Sequence, residues 1–142
     1  MRIYIAGPLF NEMELERNRK VRDMLLSTGF ETYLPQEDGG ISYNEIARGG
    51  MIAETRKKIF DNDIDEIKKC DIMVCLLDGR VPDEGMCIEL GYAHALGKPC
   101  CGYITDQRSL DQYGPSLMID GCLKATARTI EELKVLLSQE LN

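Results

Sequence analysis

Apolar positions fall along this chain in short blocks whose period alternates between that of a strand and that of a helix. Arg2–Ala6 reads as a first strand, closed by Gly7-Pro8. A helix follows roughly from Asn11 to Ser27, with Leu15, Val21, Met24 and Leu25 as its apolar positions and Gly29 beyond its end. Phe30–Leu34 is a second strand, stopped by Pro35. Residues 36–50 are polar and glycine-rich, long for a plain linker, which points to a functional loop. The next helix carries Ile52, Ile59, Ile64 and Ile67. Ile72–Leu77 is nearly continuously apolar, as expected of a central parallel strand covered on both faces. A helix over 84–97 ends at Gly97 and Pro99, Cys100–Ile104 is a fourth strand, and 105–116 is polar loop. A short strand near Ala125–Ala127 precedes a last helix, opened by the capping box Thr129-Ile130-Glu131-Glu132 and running through Leu141.

Strands alternating with helices of this length predict an α/β fold, a doubly wound, flavodoxin-like sheet of five parallel strands with helices on both faces. At 142 residues the expectation is a single domain over 1–142 with a core of ordinary size. Ligands of such sheets bind outside the carboxyl ends of the strands. That rule marks Gly7-Pro8, the 36–50 loop, Asp78–Asp83 and the 105–118 segment as the binding rim.

The helix over 84–97 carries the sharpest chemical signal. Met86, Leu90 and Ala93 form one apolar arc, and Cys87, Ile88 and Leu96 extend it around most of the cylinder, which predicts a buried helix. Glu89 falls inside that surface, between the directions of Leu96 and Ala93, with Gly85 one turn back leaving space beside it. A carboxylate in an apolar wall costs several kcal/mol unless it is paired or used. The helix pattern alone fits a satisfied core acid equally well. The strand rule breaks the tie, because Glu89 lies near the start of the helix leaving the third strand, at the same rim.

Acids dominate that rim. Asp83 stands at the helix start, Asp78 follows the third strand, Asp63 and Asp65 lie on the preceding helix, Tyr4 is in the first strand and Tyr92 is one turn beyond Glu89. Paired acids suit cleavage at a glycosidic carbon, one stabilising or attacking an oxocarbenium-like centre while another handles the leaving-group proton. They suit phosphoryl transfer poorly, and neither a P-loop nor Gly-x-Gly-x-x-Gly occurs. His94, the single histidine, sits on another face of the helix and reads as a surface or core-edge residue rather than a catalytic base.

Composition narrows the classes further. A net charge of −7 argues against a nucleic-acid polymer as partner. No apolar run approaches the ~20 residues of a membrane span, and Met1-Arg2 leads straight into the first strand without a signal peptide. A cytoplasmic protein is expected. The six cysteines lack Cys-x-x-Cys spacing and read as reduced, small hydrophobic residues, with no metal site implied.

Three stretches resemble the nucleoside 2-deoxyribosyltransferase family. They are Ile3-Tyr4-Ile5-Ala6-Gly7-Pro8-Leu9-Phe10, the acid-bearing run from Asp63 to Asp71-Ile72-Met73-Val74, and Asp83-x-Gly85-x-x-x-Glu89-Leu90-Gly91-x-Ala93-x-Ala95-Leu96-Gly97-Lys98. Leu117-Met118-Ile119 continues the likeness almost to the end. The resemblance implies the fold already inferred and a reaction needing no cofactor. It implies that Glu89 is the nucleophile at C1′ of a 2′-deoxynucleoside and that Asp63 protonates the departing nucleobase. Asp83 would hold the sugar 5′-hydroxyl, with Tyr4 beside the nucleophile and Gly7 and Gly85 lining the substrate. Met118 would enter the site from a neighbouring subunit, so a homo-oligomer with a shared active site is implied. The partners would be a 2′-deoxynucleoside and a free nucleobase.

One position departs from the family pattern. The transferases commonly carry Asn two residues before the Met, where this chain has Ser116. In the related 2′-deoxynucleoside 5′-monophosphate N-glycosidases a serine in that segment helps bind phosphate, but those enzymes replace the Asp83 carboxylate with a small hydroxyl residue. Asp83 would repel a 5′-phosphate, so nucleoside is favoured over nucleotide. Transfer and hydrolysis stay open, and a non-catalytic nucleotide sensor is disfavoured by the joint presence of Glu89, Asp63 and Asp83.

Overall fold

The structure, a computed structural model, describes residues 1–39, 52–106 and 116–139. Five strands, β1 (Arg2–Ala6), β2 (Glu31–Tyr33), β3 (Ile72–Leu76), β4 (Cys100–Tyr103) and β5 (Ala125–Ala127), form one sheet in the order β2-β1-β3-β4-β5. Every pairing is parallel. The helices between them are α1 (Glu12–Ser27), α2 (Ile52–Lys69), α3 (Glu84–Ala95), α4 (Leu117–Cys122) and α5 (Ile130–Gln139). This is the expected doubly wound sheet.

The two-residue period of β1 and β3 builds two separate cores. Ile3, Ile5, Ile72, Val74 and Leu76 face α1 and α5, packing on Val21, Leu25, Leu133 and Leu137. The residues between them, Tyr4, Ala6, Met73 and Cys75, face α2 and α3 with Ile67, Met86, Leu90 and Ala93. Tyr4 therefore lies on the α3 side by strand parity alone. Gly7 follows from the same packing, since a Cβ there would stand 2.8 Å from Leu76 Cβ.

Helix ends carry the capping chemistry that their sequences announce. Asn11 Oδ1 accepts from Glu14 N at 3.0 Å, and Glu14 Oε2 accepts from Phe10 N at 2.8 Å. Thr129 and Glu132 close the reciprocal pair at α5, with Thr129 Oγ1 accepting from Glu132 N and Glu132 Oε2 accepting from Arg128 N. Gly97, at φ +73, adopts the left-handed conformation that ends α3. The next residue, Lys98, uses its ammonium to bond the Lys68 and Cys70 carbonyls at 2.9 and 2.6 Å, tying α3 to the exit of α2.

Three expectations change. Helix α3 is buried along the Met86–Leu90–Ala93 arc only: Ile88 is 68% exposed and Leu96 44%. Apolar composition predicted burial all round, but only the arc toward the sheet finds neighbours. Ile52 is likewise exposed at the start of α2. The rim segment expected over 105–118 runs into a helix, because Leu117–Cys122 turns as α4 and buries Ile119 against the α3 side of the core. Residues 40–51, 107–115 and 140–142, including most of both expected rim loops and the expected continuation of the last helix to Leu141, lie outside the described residues.

The described part of the first long loop is spent on structure. Pro35–Gly39 forms one wide helical turn. Its Gln36 is buried, accepting from Asn18 Nδ2 at 2.8 Å and donating to the Leu15 carbonyl at 3.0 Å. Glu37 pairs with Arg19 at 2.7 Å, and Asp38 accepts from Leu34 N at 2.8 Å. Asp78 is similarly committed. Its carboxylate accepts from Thr105 N, Thr105 Oγ1 and Asp106 N and pairs with Arg17 at 3.1 Å, stitching the end of β3 to the end of β4. Burial pushes this carboxyl up, but those donors and the Arg17 charge together hold it below the usual carboxylate range.

Asp78→Ala should lower the unfolding free energy by about 2–4 kcal/mol at neutral pH, because it strands several donors. The folded form binds the Asp78 proton less readily than the unfolded chain, so the stabilisation is present at neutral pH and lost as pH falls through the carboxylate range. Denaturant melts of both proteins at pH 7 and pH 3 should show the gap closing in acid.

Candidate functional site

Glu89 is partly buried on the face of α3 that looks at the ends of β1 and β3. Tyr4, fully buried, donates its hydroxyl to Glu89 Oε1 at 2.7 Å. Burial pushes the Glu89 carboxyl up to about 7; the Tyr4 hydrogen bond opposes this, and the charges of Asp63 and Asp83 add to it. The same burial, with the negative charge of Glu89 beside it, pushes the Tyr4 hydroxyl far up, so it remains a proton donor. Among the described residues the carboxylate has a neutral hydrogen-bond partner and no cation, unlike a core acid satisfied by a lysine or a backbone amide.

Asp83 is the N-cap of α3, accepting from Met86 N at 2.8 Å through Oδ2. Capping points its carboxylate at the first turn of the helix, on which Glu89 lies two turns later. Gly85 is exposed, and Asp83 supplies the one atom within 4 Å of a Cβ added there. A Cβ there would stand 3.1 Å from Asp83 Oδ2, so the missing side chain leaves the Asp83 carboxylate uncovered.

Asp63 arrives from α2 on the other side of Tyr4. Its Oδ1 accepts from the Tyr33 hydroxyl at 3.0 Å. Burial pushes its carboxyl up, the Tyr33 bond pulls it down, and the Glu66 charge raises it again, with the balance upward. Tyr33 itself stacks on Tyr4, ring centroids 5.3 Å apart. The structure thus brings Tyr4, Glu89, Asp63 and Asp83 together into one acidic cluster without a paired lysine or arginine among the described residues. Two other rim acids separate from it: Asp78 is the strand-end clamp, and Asp65 pairs with Lys68 on the surface at 2.9 Å. His94 is exposed.

Ser116 and Met118 are placed differently. Both are exposed, Met118 at 79%, and neither hydrogen-bonds to Glu89, Asp63 or Asp83 within the chain. Ser116 occupies the N-cap position of α4 without using its hydroxyl for capping. Core packing of Met118 is ruled out by that exposure. Tyr33 and Asn62 were not singled out by sequence; the available signal was Tyr33 at the carboxyl end of its strand, directly across from Tyr4 in the parallel register.

None of the six cysteines is in a disulfide, and Cys70, Cys75, Cys100 and Cys101 are buried. No group of three or more His, Cys, Asp or Glu among the described residues is arranged to hold a metal ion. No described helix is long and apolar enough to cross a membrane.

The sequence model of the family described as nucleoside 2-deoxyribosyltransferase matches residues 3–134. The chain belongs to that family. The family consists of enzymes that transfer glycosyl groups or cleave N-glycosidic bonds. Among solved structures, the chain is similar to the 2-deoxyribosyltransferase of the psychrotolerant bacterium Bacillus psychrosaccharolyticus. The two are 27% identical, with a TM-score of 0.78 over 94% of this chain and 90% of that one. It is also similar to a conserved protein of Enterococcus faecalis, 26% identical, with a TM-score of 0.81 over 99% and 98% of the two chains. An uncharacterized protein of Schizosaccharomyces pombe is 35% identical over 111 residues, 75% of this chain and 51% of its own length. The chain therefore spans about half the length of the curated relative it matches.

The Glu89 environment predicts a pH-dependent effect on stability. Its folded ionisation near 7 lies above that of an unfolded glutamate, so stability present in acid is lost as pH rises through 7. Glu89→Gln removes that loss. Thermal melts should show the variant more stable than the wild type by about a few °C at pH 8.5, and the two equal at pH 4.

Proposed function

We propose that this protein transfers a 2-deoxyribosyl group between nucleobases through a covalent intermediate on Glu89. The observation that carries the reading is the Tyr4–Glu89 pair: a carboxylate in an apolar wall, held by one neutral donor and kept from other partners. In the first displacement a Glu89 oxygen attacks C1′, the N-glycosidic bond breaks, and Asp63 delivers its proton to the departing nucleobase. In the second, the acceptor nucleobase attacks C1′, the Glu89–C1′ bond breaks, and Asp63 takes the acceptor's N–H proton. Two inversions give net retention. A 2′-deoxy sugar suits this route, because the missing electron-withdrawing hydroxyl eases charge development at C1′.

Each neighbouring group has work within this reading. Tyr4 holds one Glu89 oxygen and leaves the other for C1′. Burial that raises the Glu89 carboxyl to about 7 makes its carboxylate a poorer leaving group from C1′, and the Tyr4 hydrogen bond offsets this by stabilising the released carboxylate. Burial pushes the Asp63 carboxyl up, the direction that favours the protonated form a general acid needs. Asp83, uncovered by Gly85, accepts a hydrogen bond from the sugar 5′-hydroxyl, while Gly7 lets the chain turn close to the end of β3.

A second copy of the chain completes the site in this proposal. Leu117 and Met118 are 87% and 79% exposed on a helix that buries Ile119, and Ile88 projects from α3 at 68%. Such apolar residues gain stability by burial against another protomer, and Met118 would then close the neighbour's substrate pocket. Met118→Glu should shift the protein to a smaller species in sedimentation velocity and lower deoxyribosyl transfer by about tenfold or more, in keeping with a charge placed in a hot spot.

The second reading is hydrolysis of a 2′-deoxynucleoside 5′-monophosphate, favoured by the uncommitted hydroxyl of Ser116. Chromatography of 2′-deoxyinosine incubated with and without adenine, beside the monophosphate, separates the two. Deoxyadenosine formed only with adenine supports transfer. Free hypoxanthine without a new nucleoside means that water is the acceptor, and turnover of the monophosphate alone favours Ser116 over Asp83 as the guide to substrate. Glu89→Gln should reduce turnover by about 10³-fold or more and Asp63→Asn by about 10²–10⁴-fold. A Glu89→Gln protein with wild-type rate would end the proposal.

A further inference from the structure

Tyr33 joins the cluster at Asp63 and stacks on Tyr4, the partner of Glu89. Strands β1 and β2 are parallel with Tyr4 opposite Tyr33, and the rings stack at 5.3 Å with 24° between their planes. Helix α2 engages the Tyr33 hydroxyl from both sides. Asn62 Nδ2 donates to it at 2.6 Å, and it donates to Asp63 Oδ1 at 3.0 Å. An amide N–H only donates and a phenol has one proton, so the direction of this relay is set by Asn62.

We infer that Tyr33 is a positioning residue for Asp63: with its acceptor side filled by Asn62, the hydroxyl gives its single proton to Oδ1, fixes the rotation of the carboxyl, and leaves Oδ2 as the oxygen that exchanges a proton with the nucleobase. The inference rests on the acid/base role proposed for Asp63. The local backbone is shaped around the pair. A Cβ on Gly39 would lie 2.6 Å from the Tyr33 hydroxyl and 3.3 Å from Asp63 Oδ1, so only a glycine lets the Pro35–Gly39 turn close over both.

The relay also sets the proton affinity of Asp63. The groups that face it are Tyr33 on β2, Tyr4 on β1, Glu89 on α3 and Glu66 on its own helix, with Asp38 of the Pro35–Gly39 turn acting on Tyr33. Burial and Glu66 push the carboxyl up, and the Tyr33 bond pulls it down. Without Tyr33, Oδ1 loses its donor, both oxygens become equivalent, and the carboxyl rotates freely. The acid would then hold its proton more tightly and aim it less well, slowing delivery to the leaving base and removal from the incoming one.

Tyr33→Phe tests this while keeping the ring and its stack on Tyr4. The kcat/KM of the wild type against pH should be bell-shaped, one limb from Glu89 and one from Asp63. In Tyr33→Phe one limb should move to higher pH by about half a pH unit or more, the other should stay, and maximal kcat should fall about three- to thirtyfold. A purely structural tyrosine would scale the rate at every pH and move neither limb, which overturns the inference. Carbon-13 titration of aspartate-labelled protein reads the same group without turnover, the Asp63 signal being the one missing from Asp63→Asn. It should titrate at higher pH in Tyr33→Phe, and to a smaller extent in Asn62→Ala. An unmoved Asp63 signal overturns the inference even if the wild type turns over no deoxynucleoside. That last outcome sinks the proposed function instead, so the two failures are distinguishable.

Discussion

A carboxylate set against the face of a parallel sheet is the constraint around which this molecule is organised. Glu89 lies on the same side of α3 as Met86, Leu90 and Ala93, which bury against β1 and β3, so its head reaches the sheet at the level of Tyr4. Desolvation there is unfavourable for the ionised form, and a cation would relieve it. The fold supplies instead one phenol, whose proton is itself held tightly by burial. The result is a carboxylate that is oriented but not neutralised, which is the state a nucleophile requires and a structural acid avoids. Strand parity makes this possible: Tyr4 looks toward α3 because Ile3 and Ile5 look toward α1 and α5.

The remaining acids sort by whether they have found donors. Asp78 has Thr105, Asp106 and Arg17; Glu37 has Arg19; Asp38 has the Leu34 amide; Glu66 has Arg2 and Lys69. These carboxylates hold segments together. Among the described residues, Glu89 and Asp63 have only tyrosines, and the Asp83 carboxylate has one backbone amide. Net negative charge is therefore distributed with purpose. Basic residues compensate the acids that brace the loops and are withheld from the cluster at the end of β1. A site of that character attracts developing positive charge, as on an oxocarbenium-like sugar, and repels phosphate.

Much of the fold was legible because parallel strands buried on both faces leave continuous apolar runs, and because Asn11, Asp83, Thr129, Gly29 and Gly97 mark helix ends by local chemistry alone. The burial of α3 was overestimated for a physical reason: composition around a helix says what could be buried, and only neighbours decide what is. Ile88 and Leu96 stay largely uncovered in the folded chain. Helix α4 escaped notice because six residues with one buried side chain carry no period. At the site, Glu89 stood out as a polar interruption of an apolar surface, and the positions of Asp63 and Asp83 followed from the rim. Tyr33 and Asn62 could not be read this way. Their meaning comes from strand register and from a hydrogen-bond direction, both of which exist only in the folded chain.

The two tyrosines explain how one acidic cluster holds two carboxyls to opposite tasks. Placed side by side in water, a glutamate and an aspartate would ionise together. Here each receives one phenolic proton, from stacked rings on adjacent strands, and each is set in a different degree of burial. Like charge makes the ionisation of either carboxyl oppose that of the other. Tyr4 favours charge on Glu89, and Tyr33, its own oxygen engaged by Asn62, favours charge on Asp63. The ring stack holds the two donors in one relative geometry. Under the proposed transfer in two displacements the proton would leave Asp63 in the first step and return in the second, so the Tyr33 bond would bear on both.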